Sequence, residues 1–154
     1  IVVDISDNKA NLAKLFGATH FVNAKKCNPV DKIKEITDGK GADYSFESIG
    51  RLETMEQAFD AANENGLVTI VGVPPAGKKM SIDPFDIFHG SKRLTGCLGG
   101  KVYPDRDFPI FIDLYKKGKL KIDELITHRY KLEDINEGIK AVMDGKAGRA
   151  IIDF

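Results

Sequence analysis

Short apolar segments alternate with helical segments along the first hundred residues, and this alternation constrains the fold more than any other feature. Strand and helix in regular succession are typical of a parallel sheet that is covered by helices. The spacing predicts an α/β protein with a doubly wound parallel sheet. The predicted strands are IVVD (1–4), THFVN (19–23), ADYSFESIG (42–50), LVTIVGVPP (67–75) and RLTGCLGG (93–100).

Helical periodicity and end signals define the segments between these strands. Residues 7–18 and 28–41 repeat apolar side chains at helical spacing, and Asn28 with Pro29 forms a favourable helix start. A third helix is predicted over residues 52–66 and a short helix or turn over residues 84–91. The run LVTIVGV is apolar enough to predict a strand that is buried on both faces.

The character of the chain changes near Gly99 and Gly100, which is the predicted domain boundary. Beyond it we expect a helix over residues 109–117, with Ile110, Phe111 and Leu114 facing inward. An extended segment (124–132), a helix (132–148) and a terminal strand (149–154) follow. The prediction is therefore one domain over residues 1–99 and a second α+β segment over residues 100–154.

The balance of charge excludes some partners. The chain has 23 basic and 23 acidic residues, and zero net charge argues against nucleic acid or an anionic membrane as the main partner. No apolar run approaches the roughly 20 residues that span a bilayer. Cys27 and Cys97 lie far apart, so reduced thiols and a cytoplasmic location are expected. The three histidines make no metal-ligand spacing.

Candidate binding residues stand where the predicted strands end, because ligands of open parallel sheets bind outside the carboxyl ends of the strands. Asp4 ends the first strand, and an acid there can accept both hydroxyl hydrogens of an adenosine ribose. It would repel the 2′-phosphate of NADP, so it favours NAD. Position alone is equally compatible with a cap of the following helix. The other strand ends carry Ser48, Ile49, Gly50 and Arg51, then Val71, Gly72 and Val73, then Cys97, Leu98 and Gly99.

The glycine-rich fingerprint expected with such an acid is not in the sequence. A dinucleotide-binding unit places G-x-G-x-x-G about 20 residues before its acid, whereas the acid here is residue 4. We therefore expect that this chain corresponds to a longer protein without its first strand and helix.

Several motifs together are specific to one family. The segments FESIGRLETMEQAF, IVGVPP, LGGKVYP and LITHRYKLEDINEGIKAVMDGKAGRAIIDF occur in this order, after VVDISDNKANLAKLFGATHFVN. Over the whole chain they resemble the zinc-dependent alcohol dehydrogenases of the medium-chain dehydrogenase/reductase superfamily. The branch that includes glutathione-dependent formaldehyde dehydrogenase is the most similar. The resemblance implies an incomplete Rossmann-type domain over residues 1–99 and the C-terminal segment of a GroES-like catalytic domain over residues 100–154.

The resemblance also implies roles for individual residues. Asp4 and Lys9 match residues that bind the adenosine ribose of NAD, and Arg149 matches an arginine that contacts the pyrophosphate. Residues 80–82 (Met80, Ser81 and Ile82) match a strand that pairs across a dimer axis, so a homo-oligomer is expected. Further matches are Ser48, Ile49 and Arg51 for the adenine and ribose, Val71 and Val73 for the nicotinamide carboxamide, and Cys97, Leu98 and Gly99 for the nicotinamide half. Cys97 and Gly99 replace other small or apolar residues of the family.

The family's catalytic and structural zinc ligands have no counterparts in this sequence. Zinc lowers the pKa of the alcohol so that hydride can pass to the nicotinamide. No residue here is therefore assigned as catalytic, and the isolated chain is expected to be inactive on its alcohol or aldehyde substrate. Two alternatives remain open, namely a zinc-free reductase of the quinone oxidoreductase type and a noncatalytic dimerisation module.

In the family's sheet the strand that this chain lacks is central. Its absence would leave the strands of residues 1–4 and 42–48 with unpaired inner edges, which invite pairing with another chain. We expect a gapped sheet that a neighbouring chain fills, a sheet that has closed up, or a fragment that has a partner polypeptide.

Overall fold

Every strand pairing in this protein is parallel. The computed structural model describes all 154 residues and divides them into two units, Ile1–Val102 and Tyr103–Phe154. The first unit contains five strands, which are β1 (Val2–Asp4), β2 (Phe21–Asn23), β3 (Ala42–Glu47), β4 (Ala62–Ile70) and β5 (Arg93–Gly96). Its α-helices are α1 (Ala10–Leu15), α2 (Pro29–Ile36), α3 (Leu52–Asp60) and α4 (Pro84–Phe88). A 3₁₀ turn, Asp7–Lys9, precedes α1.

Helix α3 carries the core of the first unit. Met55 and Phe59 are four residues apart, so they lie on one face of the helix, and both are buried. Phe59 packs with Ala62 and Val68 of β4 in a small cluster, against which Ala58 and Ile82 also pack. This cluster fixes α3 over β3 and β4, and therefore fixes the places where those two strands end.

The helix predicted over residues 52–66 is wrong in its second half. Helix α3 ends at Asp60, and β4 already begins at Ala62. The amide of Ala42 donates to the carbonyl of Ala61 at 2.8 Å, so the backbone here pairs with β3 instead of continuing the helix. The expected two-sided burial of LVTIVGV is also wrong in part, because Val68 is fully buried but Val71 is exposed.

The second unit has its own parallel pair of strands. Strand β6 (Ile126–Lys131) pairs with β7 (Arg149–Asp153), and α6 (Ile135–Met143) lies between them in sequence and packs on both. Helix α5 is Pro104–Lys116, five residues longer at its start than predicted. Pro104 suits the first turn of a helix, and the Asp107 carboxylate accepts from the Tyr103 amide at 2.8 Å.

The prediction that Ile110 and Phe111 face inward is wrong. Their side chains are about half exposed, so the apolar face of α5 is not covered by the rest of the chain. Leu114 is partly buried, as predicted.

The sheet of the first unit is interrupted. Strand β1 pairs only with β2, and the remaining strands form the order β3–β4–β5. Strands β1 and β3 do not pair with each other, and both line a cavity of about 520 Å³. Helix α2 packs against β2 and α3 and so connects the two parts of the sheet. We call the space between β1 and β3 the slot; the sheet has not closed up around it.

Candidate functional site

The carboxyl ends of β3, β4 and β5 are joined by backbone hydrogen bonds. The amides of Val71 and Gly72 donate to the carbonyl of Glu47 at 2.7 and 2.9 Å, and the Cys97 amide donates to the carbonyl of Ile70 at 2.9 Å. The candidate residues that follow these three strands therefore lie side by side along one edge of the sheet, as the sequence predicts for strand ends.

A buried glutamate organises this edge. Glu47 is the only charged or polar residue of the chain that is buried, and its side-chain oxygen Oε1 accepts three hydrogen bonds at 2.8 Å. The donors are the amides of Ile49 and Gly50 and the hydroxyl of Thr54. One carboxylate thus connects the end of β3, the turn that follows it and the first turn of α3. Its second oxygen, Oε2, is buried without a hydrogen-bond partner.

Two glycines allow this turn to lie directly against the end of β4. A Cβ added at Gly50, where φ is +89°, would lie 2.3 Å from the carbonyl oxygen of Val73. A Cβ at Gly72 would lie 2.2 Å from the Gly50 amide and 2.7 Å from Oε2 of Glu47. Only glycine fits at both positions, since the obstructing atoms are mainly backbone. The turn after β3 and the turn after β4 are consequently one packed unit.

Asp4 ends β1 and lines the slot together with Ser48 and Ile49. Its oxygen Oδ1 accepts from the Ser6 amide at 2.9 Å, which closes the turn after β1, and Asp4 does not cap the following 3₁₀ turn, whose N-cap residue is Ser6. The other oxygen, Oδ2, has no donor within the chain and is available to a ligand. The side chain is half-buried.

The loop that carries Asp4 is tied to the end of β2. The carboxylate of Asp7 accepts from the Asn23 side chain at 2.8 Å and forms an ion pair with Lys26 at 2.7 Å. The hydrogen bond from Asn23, and secondly the one from Lys26, hold the pKa of the Asp7 carboxyl below its usual range. The backbone carbonyl of Asp4 also accepts from the Ala24 amide. The position of Asp4 is therefore set by β2 as well as by β1.

Exposed apolar side chains stand at the same edge. Val73 is 83% exposed and Leu98 is 90% exposed, and Ile49 and Val71 are also exposed. Apolar side chains combined with a few polar groups are typical of the lining of small-molecule sites.

The remaining candidate binding residues do not line the slot. Lys9 ends the 3₁₀ turn after β1 and is half-buried. Arg51 is exposed beside Glu53, at 3.3 Å. Gly99 lies in a turn after β5 with φ of +56°. Arg149 begins β7 in the second unit, where it pairs with Ile126, so it is the one candidate that the first unit does not contain.

Sequence reasoning missed Glu47, Thr54 and the role of Gly72. A carboxylate between Phe46 and Ser48 at the end of an apolar strand was the available signal, because an acid there must be either exposed or fully hydrogen-bonded. Its partners were not readable, since the backbone bonds from residues 71 and 72 depend on the pairing of β3 with β4.

The segment of residues 80–82 forms no strand pairing within the chain. The Ser81 amide donates to the Glu56 carboxylate at 2.7 Å, and Ile82 packs on the core cluster. Pairing across a dimer axis stays a prediction.

No three His, Cys, Asp or Glu side chains lie together in a way that could hold a metal ion. Cys27 and Cys97 are both free thiols. None of the helices has the length and apolar character needed to cross a bilayer.

Comparison with known proteins places this geometry among dehydrogenases. Residues 1–117 match the family described as zinc-binding dehydrogenase. S-(hydroxymethyl)glutathione dehydrogenase of Paracoccus denitrificans is 36% identical over 159 residues, which cover 99% of this chain and 42% of that protein. The chain thus spans about two-fifths of the length of such curated relatives.

Solved structures agree with this result. Benzyl alcohol dehydrogenase from Acinetobacter calcoaceticus superimposes with a TM-score of 0.91 at 35% identity, over 97% of this chain and 41% of that one. A zinc-binding dehydrogenase from Sinorhizobium meliloti 1021, solved bound to NADP, matches with a TM-score of 0.77 at 30% identity, over 89% and 40% of the two chains. The α/β Rossmann-type fold class predicted from the sequence is confirmed.

Proposed function

We propose, since the chain belongs to the zinc-binding dehydrogenase family, that it forms the nicotinamide-cofactor-binding part of an NAD-dependent alcohol dehydrogenase. The whole protein would transfer hydride between an alcohol and NAD. The predicted domains carry over to this proposal, with cofactor binding by residues 1–99 and a segment of the catalytic domain in residues 100–154.

The observation that carries the proposal is the position of Asp4. Its free Oδ2 stands at the end of β1, at the same slot as Ser48 and Ile49 of the neighbouring strand end. A carboxylate oxygen without a partner in a half-buried place is suited to accept hydrogen bonds from a ribose hydroxyl.

The chain's own residues fit a dinucleotide. Asp4 and Lys9 would hold the adenosine ribose, with Ser48, Ile49 and Arg51 beside the adenine. Gly50 and Gly72 allow the two turns to pack against each other, which keeps the strand ends of β3 and β4 side by side at this edge. Val71, Val73, Cys97, Leu98 and Gly99 would line the nicotinamide half. NAD supplies the hydride acceptor when it is bound.

The side chains of this chain do not form a binding site for zinc. The donor sets that bind catalytic zinc contain three protein ligands, and no such group of side chains exists here. Zinc chemistry, and the alcohol or aldehyde that it activates, therefore belong to parts of the whole protein outside these residues. Dimerisation through residues 80–82 and a cytoplasmic location are further parts of the proposal.

Calorimetric titration of the 154-residue chain with NAD⁺ and NADP⁺ tests the role of Asp4. We expect tighter binding of NAD⁺, because the Asp4 carboxylate repels a 2′-phosphate. Asp4→Asn should weaken NAD⁺ binding about tenfold, since a hydrogen bond to a charged group contributes about 1.5–3 kcal/mol. The same substitution should also reduce the preference of the chain for NAD⁺ over NADP⁺, measured as the ratio of the two dissociation constants.

Asp38→Asn is the matched control, because Asp38 is exposed in the turn after α2, does not line the slot, and has a backbone φ of +53° that asparagine tolerates. It removes the same charge and should leave both affinities unchanged. Wild-type chain that binds NADP⁺ as tightly as NAD⁺, or an Asp4→Asn chain with unchanged affinity, would contradict the proposed ribose contact.

A further inference from the structure

An exposed ion pair lies beside the strand end that carries Asp4. The ammonium of Lys26 and the carboxylate oxygen Oδ2 of Asp7 are 2.7 Å apart, and both side chains are more than half exposed. Asp7 stands in the loop after β1, and Lys26 stands in the loop after β2. Asn23, the last residue of β2, is the ladder partner of Asp4. The ion pair therefore joins the two loops next to the carboxylate that we propose as the ribose contact.

Hydrogen bonds that do not involve the ammonium already hold these two loops together. The side-chain amide of Asn23 donates to Oδ1 of Asp7 at 2.8 Å, and the Ala24 amide donates to the Asp4 carbonyl at 3.0 Å. The turn itself is closed by the Lys26 amide, which donates to the Asn23 carbonyl at 3.0 Å. The ammonium of Lys26 stands on a flexible four-carbon stem and adds only an exposed pair, which contributes little to stability.

The charge of this ammonium matters for one chemical group, the phosphate of NADP. NAD and NADP differ at the ribose 2′ position, where NADP carries a phosphate instead of a hydroxyl. In doubly wound nucleotide-binding sheets, an acid at this strand end binds the ribose hydroxyls of NAD, and a cationic side chain nearby accommodates the 2′-phosphate of NADP. Lys26 is a cation at the neighbouring strand end, but its ammonium is paired with Asp7.

We infer that Asp7 is a second determinant of cofactor choice, because it pairs with the ammonium of Lys26 and so keeps it from the 2′-phosphate of NADP. Asp4 repels the phosphate directly, whereas Asp7 acts through Lys26. Neither Asp7 nor Lys26 contacts NAD itself. The inference rests on the proposed function, since it requires the adenosine ribose to lie at Asp4.

Two substitutions at the ion pair should change NADP⁺ binding in opposite directions. Asp7→Asn keeps an acceptor for the Asn23 amide and removes the charge that holds Lys26. It should lower the dissociation constant of NADP⁺ about threefold to tenfold, because the released ammonium can donate a charge-assisted hydrogen bond to the phosphate. Lys26→Met should raise this constant about threefold, because the Asp7 charge is then uncompensated. The dissociation constant of NAD⁺ should stay within about twofold of the wild type in both variants.

The opposite signs separate this role from a purely structural one. Each substitution breaks the same ion pair, so a loop that needed the pair for its shape would bind more weakly in both variants. Calorimetric titration with NAD⁺ and NADP⁺ measures the two constants, and circular dichroism verifies that the variants are folded. The same substitutions are made in an Asp4→Asn background, where NADP⁺ meets less repulsion, and the signs should be the same there.

Glu35→Gln is the matched control. It opens the exposed pair of Glu35 with Lys32 on α2, at 2.6 Å, and it changes the net charge as Asp7→Asn does. Neither residue lines the slot. Both affinities should therefore stay as in the wild type. The double variant Asp7→Asn/Lys26→Met should lose most of the gain in NADP⁺ affinity, because the cation that produces the gain is gone.

Unchanged or weaker NADP⁺ binding by Asp7→Asn in both backgrounds would overturn the inference. So would an equal gain in Glu35→Gln, or a gain that the double variant retains in full. A wild-type chain that prefers NAD⁺, with an Asp7→Asn variant that behaves identically, would contradict the role of Asp7 and leave the proposed function standing. If NAD⁺ binds equally to the wild type and to Asp4→Asn, the ribose contact itself fails. A chain that binds neither dinucleotide overturns both.

Discussion

The hydroxyl of Thr54 donates a hydrogen bond to Oε1 of Glu47 at 2.8 Å. This contact joins the first turn of α3 to the end of β3, and the same oxygen accepts from the amides of Ile49 and Gly50. The edge of the sheet that we propose as the cofactor site is therefore organised around one buried carboxylate.

Removal of the Thr54 hydroxyl should destabilise the first unit, and removal of the Glu47 carboxylate should destabilise it more. Thr54→Val should lower the free energy of unfolding by about 1 kcal/mol, since it removes one of three hydrogen bonds to Oε1. Glu47→Ala should lower it by roughly 2–4 kcal/mol, because two backbone amides lose their acceptor in a buried place. Urea unfolding followed by circular dichroism measures both.

Thr19→Val is the control for these variants, because the exposed Thr19 hydroxyl forms its hydrogen bond with the neighbouring His20 ring and not with a buried group. Its stability should lie within about 0.5 kcal/mol of the wild type. Equal losses for Thr54→Val and Thr19→Val would show that the hydrogen bond to Glu47 contributes little.

Gly72 should tolerate no side chain. Gly72→Ala would place a Cβ against the backbone amide of Gly50, and overpacking of this kind costs about 1–3 kcal/mol. Gly96→Ala is a matched change at the end of β5, where nothing lies within 4 Å of the added atom. Thermal unfolding of the two variants should show a lower midpoint for Gly72→Ala only; a comparable drop in both would rule out the steric explanation.

Lys92 should contribute more to the stability of the fold than an ordinary surface lysine does. Its side chain is 9% exposed, and its ammonium donates to the carbonyl of Phe59 at 3.2 Å and to Asp86 at 3.1 Å. It also lies 5.0 Å from the centre of the Phe59 ring. Lys92→Met should cost about 1–2 kcal/mol of stability, because the carbonyl and the carboxylate lose a charged donor while the apolar packing is kept.

Lys26→Met is the comparison for this lysine, since Lys26 forms an ion pair with Asp7 at the surface. Exposed pairs contribute about 0–1 kcal/mol, so its effect on the urea midpoint should be small. The interpretation of Lys92 fails if the two variants lose the same stability.

Asp7 should make the stability of the first unit depend on pH in the acid range. Its pKa is lowered in the folded chain, first by the hydrogen bond from Asn23. The contribution is therefore complete above the pKa of the unfolded chain and is lost as the pH falls through the lower folded value. Asn23→Ala should move the pKa of Asp7 upward, toward its usual range.

NMR titration of the Asp7 carboxyl carbon measures this directly. Lys26→Gln should also raise the pKa of Asp7, because Lys26 lowers it both through a hydrogen bond and through its charge. A pKa that stays low in Asn23→Ala would assign the effect to the ion pair instead.

The order of strands and helices could be predicted from the sequence because it depends on local features. Apolar periodicity, the pair Asn28–Pro29 at the start of α2, and the glycines after helices act within a few residues of chain. Asp4 was identifiable for the same reason, since an acid that directly follows an apolar run marks the end of a strand.

Predictions from local sequence patterns were wrong where contacts with distant parts of the chain decide the structure. The sequence around Ala61 favours a helix, but pairing with Ala42 ends it there. Ile110 and Phe111 have the spacing of a buried face, yet burial requires a partner that this pattern cannot specify.

The sequence by itself determined the order of the elements, the parallel α/β class and the positions of the strand ends at Asp4, Glu47, Ile70 and Gly96, because each of these follows from short-range patterns. Only the tertiary structure decided that Glu47 anchors two turns, that Gly50 and Gly72 meet, and that β1 and β3 face each other across an open slot. These relationships connect residues that are distant in sequence, and they exist only once the strands have taken their places in the sheet.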